Sequence, residues 1–149
     1  MAFVFSSQTV DLSERLQDNP EINAHSSCSA CPLSDMNPLP VQGNGKLRTL
    51  VVFSHPVKGE YEMGALGVSH AYMRMEQDLQ ALGVDIADDC WVVPAVRCYP
   101  NANVPTKKMY ECCRGKLLNT VKRLKPTTVL VVGRNAMHGW AGHQFDIPP

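Results

Sequence analysis

Three stretches of the chain are apolar without alternation: "LRTLVVFS" (47–54), "CWVVPAV" (90–96) and "TTVLVVG" (127–133). Unbroken apolar runs of this length predict strands buried on both faces, which is the pattern of a parallel sheet rather than of a half-solvated antiparallel one. Pro94 interrupts the ladder of the second run. Between and after the runs the period changes to that of a helix. "SHAYMRMEQDLQALG" (69–83) sets Tyr72, Met75, Leu79 and Leu82 on one face and stops at Gly83. "TKKMYECCRGKLLNTVKRLK" (106–125) predicts a long helix, with Thr106 as its cap and Pro126 closing it. "RNAMHGWAG" (134–142) predicts a short last one. Strand and helix thus alternate three times, and the expectation is an α/β fold with three layers, a central parallel sheet between helices.

The front of the chain is less regular. "TVDLSERLQ" (9–17) has the look of a short helix, capped by Asp11 or Ser13. Residues 18–47 form a long irregular stretch rich in Pro, Ser, Asn and Gly. A loop of that length inside a compact domain needs something to hold it, and a metal site at Cys28 and Cys31 would serve. No internal repeat or low-complexity tract divides the chain, so residues 1–149 are expected to form one domain.

Charge changes the picture little in bulk and more in detail. Lys and Arg number 14, as do Asp and Glu, so net charge favours neither nucleic acid nor an acidic partner. The distribution is uneven: Lys107, Lys108, Arg114, Lys116, Lys122, Arg123 and Lys125 lie in the 106–125 segment against one acid, Glu111. A neutral protein with such a segment can still present a basic face to phosphates, although an ordinary solvated helix face has the same composition. No apolar run reaches the length needed to span a bilayer, and "MAFVFSSQTV" lacks the basic start of a secretory signal. The expected setting is therefore the cytoplasm or the nucleoid, not the cell exterior. In a reducing compartment six cysteines point to metal ligation, catalysis or burial before disulfides.

Geometry sorts those cysteines. Cys28 and Cys31 form a C-x2-C, the spacing with which two thiolates grip one metal centre. Cys98 follows the second strand, where a parallel sheet gathers its ligands. On the 106–125 helix, Cys113 shares a stripe with Met109, Leu117, Val121 and Leu124 and is expected to point inward. Cys112 shares the opposite stripe with Lys108, Lys116, Asn119 and Arg123 and is expected to point to water. Cys90, at the start of its strand, reads as core. Four thiolates, Cys28, Cys31, Cys98 and Cys113, suit either structural zinc or an iron–sulfur cluster.

Four motifs in order then carry a resemblance: "CSACPL", "VRCYPNANVPT", "ECCRGKL" and "LKPTTVLVVGRNAM". Together they resemble the iron–sulfur uracil-DNA glycosylases of the family 4 and 5 type over nearly the whole span from Cys28 to Met137. The resemblance implies a [4Fe–4S] cluster held by Cys28, Cys31, Cys98 and Cys113, and a parallel sheet between helices. It also implies DNA as a partner.

The base-reading and catalytic positions depart from that family. Its G-E-A-P-G-x-x-E loop is "FSHPVKGE" here, which keeps Pro56 and Glu60 but sets Phe53 and Val57 where glycines allow close backbone approach. Gly67 stands where the family has a Phe that stacks on uracil, and Pro94 where it has an Asn that reads the base edge. The chain stops at "HQFDIPP" before any H-P-S loop, and neither His138 nor His143 precedes a Pro-Ser. By the resemblance the fold is thus truncated at its C-terminus, in a naturally short protein or in a fragment of a longer one. What remains for catalysis is Glu60, with His55 in the variable position before Pro56.

The expectation is a cluster-bearing, catalytically degenerate glycosylase-like protein, with Lys107, Lys108, Arg114 and Lys116 as candidate DNA contacts. It would bind DNA or dock a protein of replication or repair. The alternatives are an active glycosylase with a remodelled pocket for uracil or a modified base, using Glu60 and His55, and a zinc-stapled domain with no nucleic-acid role.

Overall fold

A computed structural model of the protein describes residues 28–102 and 104–142 and, as backbone, the strand at 2–6. Its elements in chain order are β1 (Ala2–Ser6), a 3-10 turn (Cys28–Ala30), β2 (Thr49–Phe53), α1 (Lys58–Met63), α2 (His70–Ala81), α3 (Ile86–Asp89), β3 (Cys90–Pro94), α4 (Lys107–Leu124), β4 (Thr128–Val132) and α5 (Arg134–Ala141). The helix expected over 9–17 lies outside the described residues.

The sheet has the order β1-β4-β2-β3. β2 pairs in parallel with β3 on one side and with β4 on the other, Val51 opposite Val92 and Leu130. This is the parallel core that the unalternating runs predict. To it the chain adds β1, antiparallel to β4 with Ala2 opposite Val132. The added strand makes the sheet mixed at its outer edge.

Both faces are covered, which is why the strands carry no polar alternation. Leu50, Val52, Val93, Val129 and Val131 face α4 and α5, where they meet Leu117, Val121 and Met137. Val51, Phe53, Val92 and Leu130 face the other way, onto Tyr72, Met75 and Leu79 of α2. Burial of side chains this size contributes roughly 1.5–3 kcal/mol each, so the two faces together are the main stabilising term. The expected fourth member of the α2 stripe, Leu82, is instead 78% exposed, because α2 ends at Ala81 and Leu82 is its cap residue.

The cap expected at Thr106 is in place, and two further helices are capped in the same way. Thr106 Oγ1 accepts the N–H of Met109 at the head of α4, and Ser69 Oγ accepts that of Tyr72 at the head of α2. Asp85 caps α3 through the N–H groups of Ala87 and Asp88, while Asp88 pairs with Lys46 and Asn44. Lys125 then ends α4 in the left-handed region at φ 50°, and Pro126 follows.

Much of the irregular stretch before β2 is held without a metal. Gln42 and Val92 exchange backbone hydrogen bonds of 3.0 and 2.7 Å, so the segment runs antiparallel along the free edge of β3. Leu39 N–H reaches Arg97 O, and the N–H groups of Asn44, Gly45, Lys46 and Leu47 bond carbonyls at 87–90. Gly45 is required there: a Cβ would stand 2.1 Å from the Trp91 ring, at φ +65°. What these bonds leave unheld is the segment before it, residues 28–36.

Candidate functional site: a cysteine pocket and an open cavity

The 28–36 segment folds over one side of α4, and the two enclose a pocket lined by Cys28, Cys31, Cys98, Cys112 and Cys113. The four expected thiols do come together, and a fifth joins them. Cys112 is not on the wet face: it is 2% exposed, against 7% for Cys113. The helix is buried on two sides, against the sheet through Cys113 and under the C-x2-C segment through Cys112. Its apolar periodicity marks only the first side.

The donors are all sulfur and the walls apolar, with Leu33, Pro38 and Val96 among them. Burial pushes the Cys98 thiol up to about 11, and the neighbouring Cys113, Cys31 and Cys28 add to the rise. Burial raises Cys113 as well, against which the backbone N–H of Arg97 stabilises its sulfur. Leu33 N–H points at Cys31 Sγ from 3.4 Å, and Cys112 lines the same pocket as Cys31. Donated N–H···S bonds of this kind favour thiolates and orient them as ligands.

Among the described residues no group of three or more His, Cys, Asp or Glu is set to hold a metal ion. The cavity between the thiols is only about 20 Å3. The donor set, all sulfur, suits a thiolate-ligated metal centre in its chemistry. Arg97, absent from the sequence-based candidates, borders the pocket: its guanidinium bonds Thr120 Oγ1 and lies close enough to Cys113 and Cys28 to feel their charge. Its Nε is buried without a partner. A charged residue next to a cysteine in the sequence was the available signal.

At the other candidate, Glu60 is fully buried and its carboxylate is hydrogen-bonded at both oxygens. Oε1 accepts the N–H of Val57 at 3.1 Å; Oε2 accepts those of Gly67, Val68 and Ser69 at 2.6, 3.2 and 3.3 Å. Three of the four bonds crowd Oε2, while Oε1 takes one. Glu60 thus ties the start of α1 to the segment leading into α2. His55 is half-buried beside it, with Nδ1 2.8 Å from Ser54 Oγ, which in turn lies 2.9 Å from the Tyr110 hydroxyl. Burial lowers the affinity of His55 for a proton, with a smaller opposing pull from Glu60.

Tyr110 opens onto a second cavity, of about 480 Å3, at the head of α4 and alongside α5. Lys107, Tyr110, Glu111, Asn135 and His138 line it, and the His138 ring lies 5.9 Å from that of Tyr110 at 47°. It sits beyond the carboxyl ends of β2 and β4, where open parallel sheets bind their ligands. His138 is half-buried at this cavity, three residues from Asn135 on the same helix. His143 lies outside the described residues.

The candidate DNA contacts separate. Lys107 and Lys108 are exposed, with Lys107 3.7 Å from Glu111, and Lys116 is half-buried near Cys98. Arg114 is not a surface residue. It is 5% exposed, with Nη1 3.5 Å from Gly139 O and Nε unbonded, because it packs under α5 instead of facing water. Lys122, Arg123 and Lys125 complete the exposed basic set. No helix among the described residues is long and apolar enough to cross a membrane.

No family model matches the chain. Two characterised proteins do. The type-4 uracil-DNA glycosylase of Pyrobaculum aerophilum is 30% identical over 110 residues, 72% of this chain and 56% of its own length. The type-4 uracil-DNA glycosylase of Thermotoga maritima is 30% identical over 113 residues, 74% of this chain and 58% of its own. The chain thus spans somewhat over half the length of these relatives. With the α/β sheet and the order of its cysteine motifs, that similarity means that the chain belongs to the uracil-DNA glycosylase superfamily, as a divergent relative of its type-4 members.

Proposed function

We propose that this protein is a DNA-binding member of the superfamily that carries a [4Fe–4S] cluster and has given its catalytic positions over to structure, serving as a docking module in replication or repair. The observation that carries the reading is Glu60, which is fully buried and whose carboxylate accepts four backbone N–H groups of its own chain. Beside it, Gly67 offers no ring to stack on a base and uses its N–H on Glu60; Pro94, buried at the end of β3, offers no side-chain hydrogen bond.

Cys28, Cys31, Cys98 and Cys113 would hold the cluster, leaving Cys112 as a neighbour. A single tetrahedral zinc draws its thiolates to within about 3.8 Å of one another. A cubane takes one thiolate per iron and spreads them further, and the thiols lining the pocket come from three separate segments of the chain. Bound there, the cluster would act as a staple between the 28–36 segment, the end of β3 and α4. Lys107, Lys108, Lys116, Lys122 and Arg123 on α4 would then meet phosphates.

The test is a pair of measurements on anaerobically purified protein. Iron and acid-labile sulfide should each approach about four per chain, lost in Cys113→Ala and kept in Cys112→Ala. Labelled DNA should bind with an affinity that falls steeply with salt, and no base should be released from uracil-containing duplex or single strands. Excision at a rate dependent on His138 or Asn135 would replace this reading with the second one. The cavity of about 480 Å3 favours that alternative, a remodelled pocket for uracil or a modified base, since it offers a ring, an amide and an imidazole.

A further inference from the structure

The cavity of about 480 Å3 at the head of α4 shares no residue with the cysteine pocket, and its volume is that of a small-molecule site. Tyr110 lines it with a ring that is already fixed. Its hydroxyl is engaged by Ser54 Oγ at 2.9 Å, and Gly139 lets α5 close so far that a Cβ there would lie 3.1 Å from the ring. The His138 ring stands 5.9 Å away, tilted by 47°. A third ring stacked between two others needs them about 7 Å apart or more. A planar ligand would therefore lie against one of these rings and meet the other at an angle.

The polar groups around those rings are unspent. Asn135 is half-buried at the cavity, and its side-chain amide bonds nothing among the described residues. An amide carries a donor and an acceptor side by side, the complement of the edge of a nucleobase. Lys107 brings an exposed ammonium to the same cavity. Its pairing with Glu111 at 3.7 Å is an exposed one, which contributes little and yields readily to another anion. Arg114 packs directly behind Gly142 of the cavity wall, where a Cβ would have no room against the guanidinium. It is 5% exposed, its Nε is buried without a partner, and no carboxylate among the described residues is bonded to it. Two cations against one acid leave the cavity with a positive potential.

From a fixed aromatic face, a free amide and a positive rim, we infer that this cavity binds a nucleoside monophosphate and leaves all its bonds intact. The base lies against the Tyr110 ring with its edge on Asn135, and the phosphate meets Lys107. Such binding needs neither the cysteine pocket nor Glu60, so it stands or falls apart from the cluster. Two sources present the same chemistry, a free nucleotide and the 5′-phosphorylated end of a strand.

The experiment titrates the full chain with AMP and UMP, with their nucleosides, and with trinucleotides that do or do not carry a 5′-phosphate, by isothermal calorimetry. Monophosphates should bind and nucleosides bind more weakly. Asn135→Leu should weaken the monophosphates about tenfold. Lys107→Gln should bring them down to the level of the nucleosides, while Lys108→Gln, outside the cavity, should change nothing. Unchanged melting temperatures show that these variants fold. Phosphorylated trinucleotides that bind as tightly as the monophosphates would assign the cavity to strand ends; binding of monophosphates alone would assign it to free nucleotides. No binding of either at millimolar concentration would overturn the inference. So would equal losses in Lys107→Gln and Lys108→Gln, the mark of diffuse charge along α4. Free base released from AMP, UMP or a trinucleotide would overturn it too, since the cavity would then be a site of excision.

Discussion

The carboxylate of Glu60 accepts the backbone N–H of Gly67 at 2.6 Å, and through that bond and three more it fastens α1 to the approach of α2. A Glu60→Gln amide would turn one acceptor into a donor facing N–H groups inside a dry site. It should lower unfolding free energy by about 2–3 kcal/mol, measured by urea titration. An unchanged midpoint would release Glu60 from this structural role.

His55 gives the protein a pH dependence of known sign. Burial depresses its folded-state pKa below the unfolded 6.5, so the unfolded chain takes up the proton first as pH falls. Its contribution to instability begins near pH 6.5 and grows until the folded pKa is reached. His55→Asn keeps an acceptor for Ser54 without the titration. The variant should lose less stability than the unaltered chain between pH 7 and about pH 5, by thermal unfolding.

Arg114 and Lys108 should respond oppositely to mutation. Arg114→Met replaces a buried, incompletely bonded cation with an apolar side chain of similar length, so stability should hold or rise by about 1 kcal/mol. DNA affinity should stay within about twofold. Lys108→Glu, on the exposed side of the same helix, should weaken DNA binding several-fold and flatten its salt dependence. Fluorescence anisotropy at several salt concentrations measures both.

Gly139 sets the distance between α5 and the sheet. A methyl group there would lie 2.5 Å from Ala95 Cβ and 3.1 Å from the Tyr110 ring. Gly139→Ala should therefore cost about 1–3 kcal/mol despite the better helix propensity of alanine. A raised melting temperature would mean that α5 can shift outward freely.

The parts of this fold that can be read from the sequence are those whose burial is periodic. Val51, Val92 and Leu130 sit in unbroken apolar runs, and Tyr72, Met75 and Leu79 recur at helical spacing. The three-layer core follows from these. α1 escapes because its segment, KGEYEM, buries only Glu60, and a polar residue held by hydrogen bonds leaves no hydrophobic signal. The run along β3 escapes because Gln42 and Val92 meet through backbone groups, which every residue carries. Cys112 was misread for a related reason: its cover comes from a distant loop, and a helix's own period reports one buried side at a time. That cysteines would gather was legible, since the C-x2-C spacing, a strand end and a helical stripe point to Cys28, Cys31, Cys98 and Cys113, which line one pocket together with Cys112. The cavity beside Tyr110 and His138 was not, because its walls come from two helices with no shared motif.

The pairing of β1 with β4 has a kinetic consequence. Ala2 waits for Val132, almost the full length of the chain away, before it finds its neighbour. Loop-closure entropy places such a contact late in assembly, after β2, β3 and β4 have paired. During synthesis β1 is made well before β4, the strand it pairs with. Until it docks, the outer edge of β4 stands open to any extended segment that arrives first, a second nascent copy included.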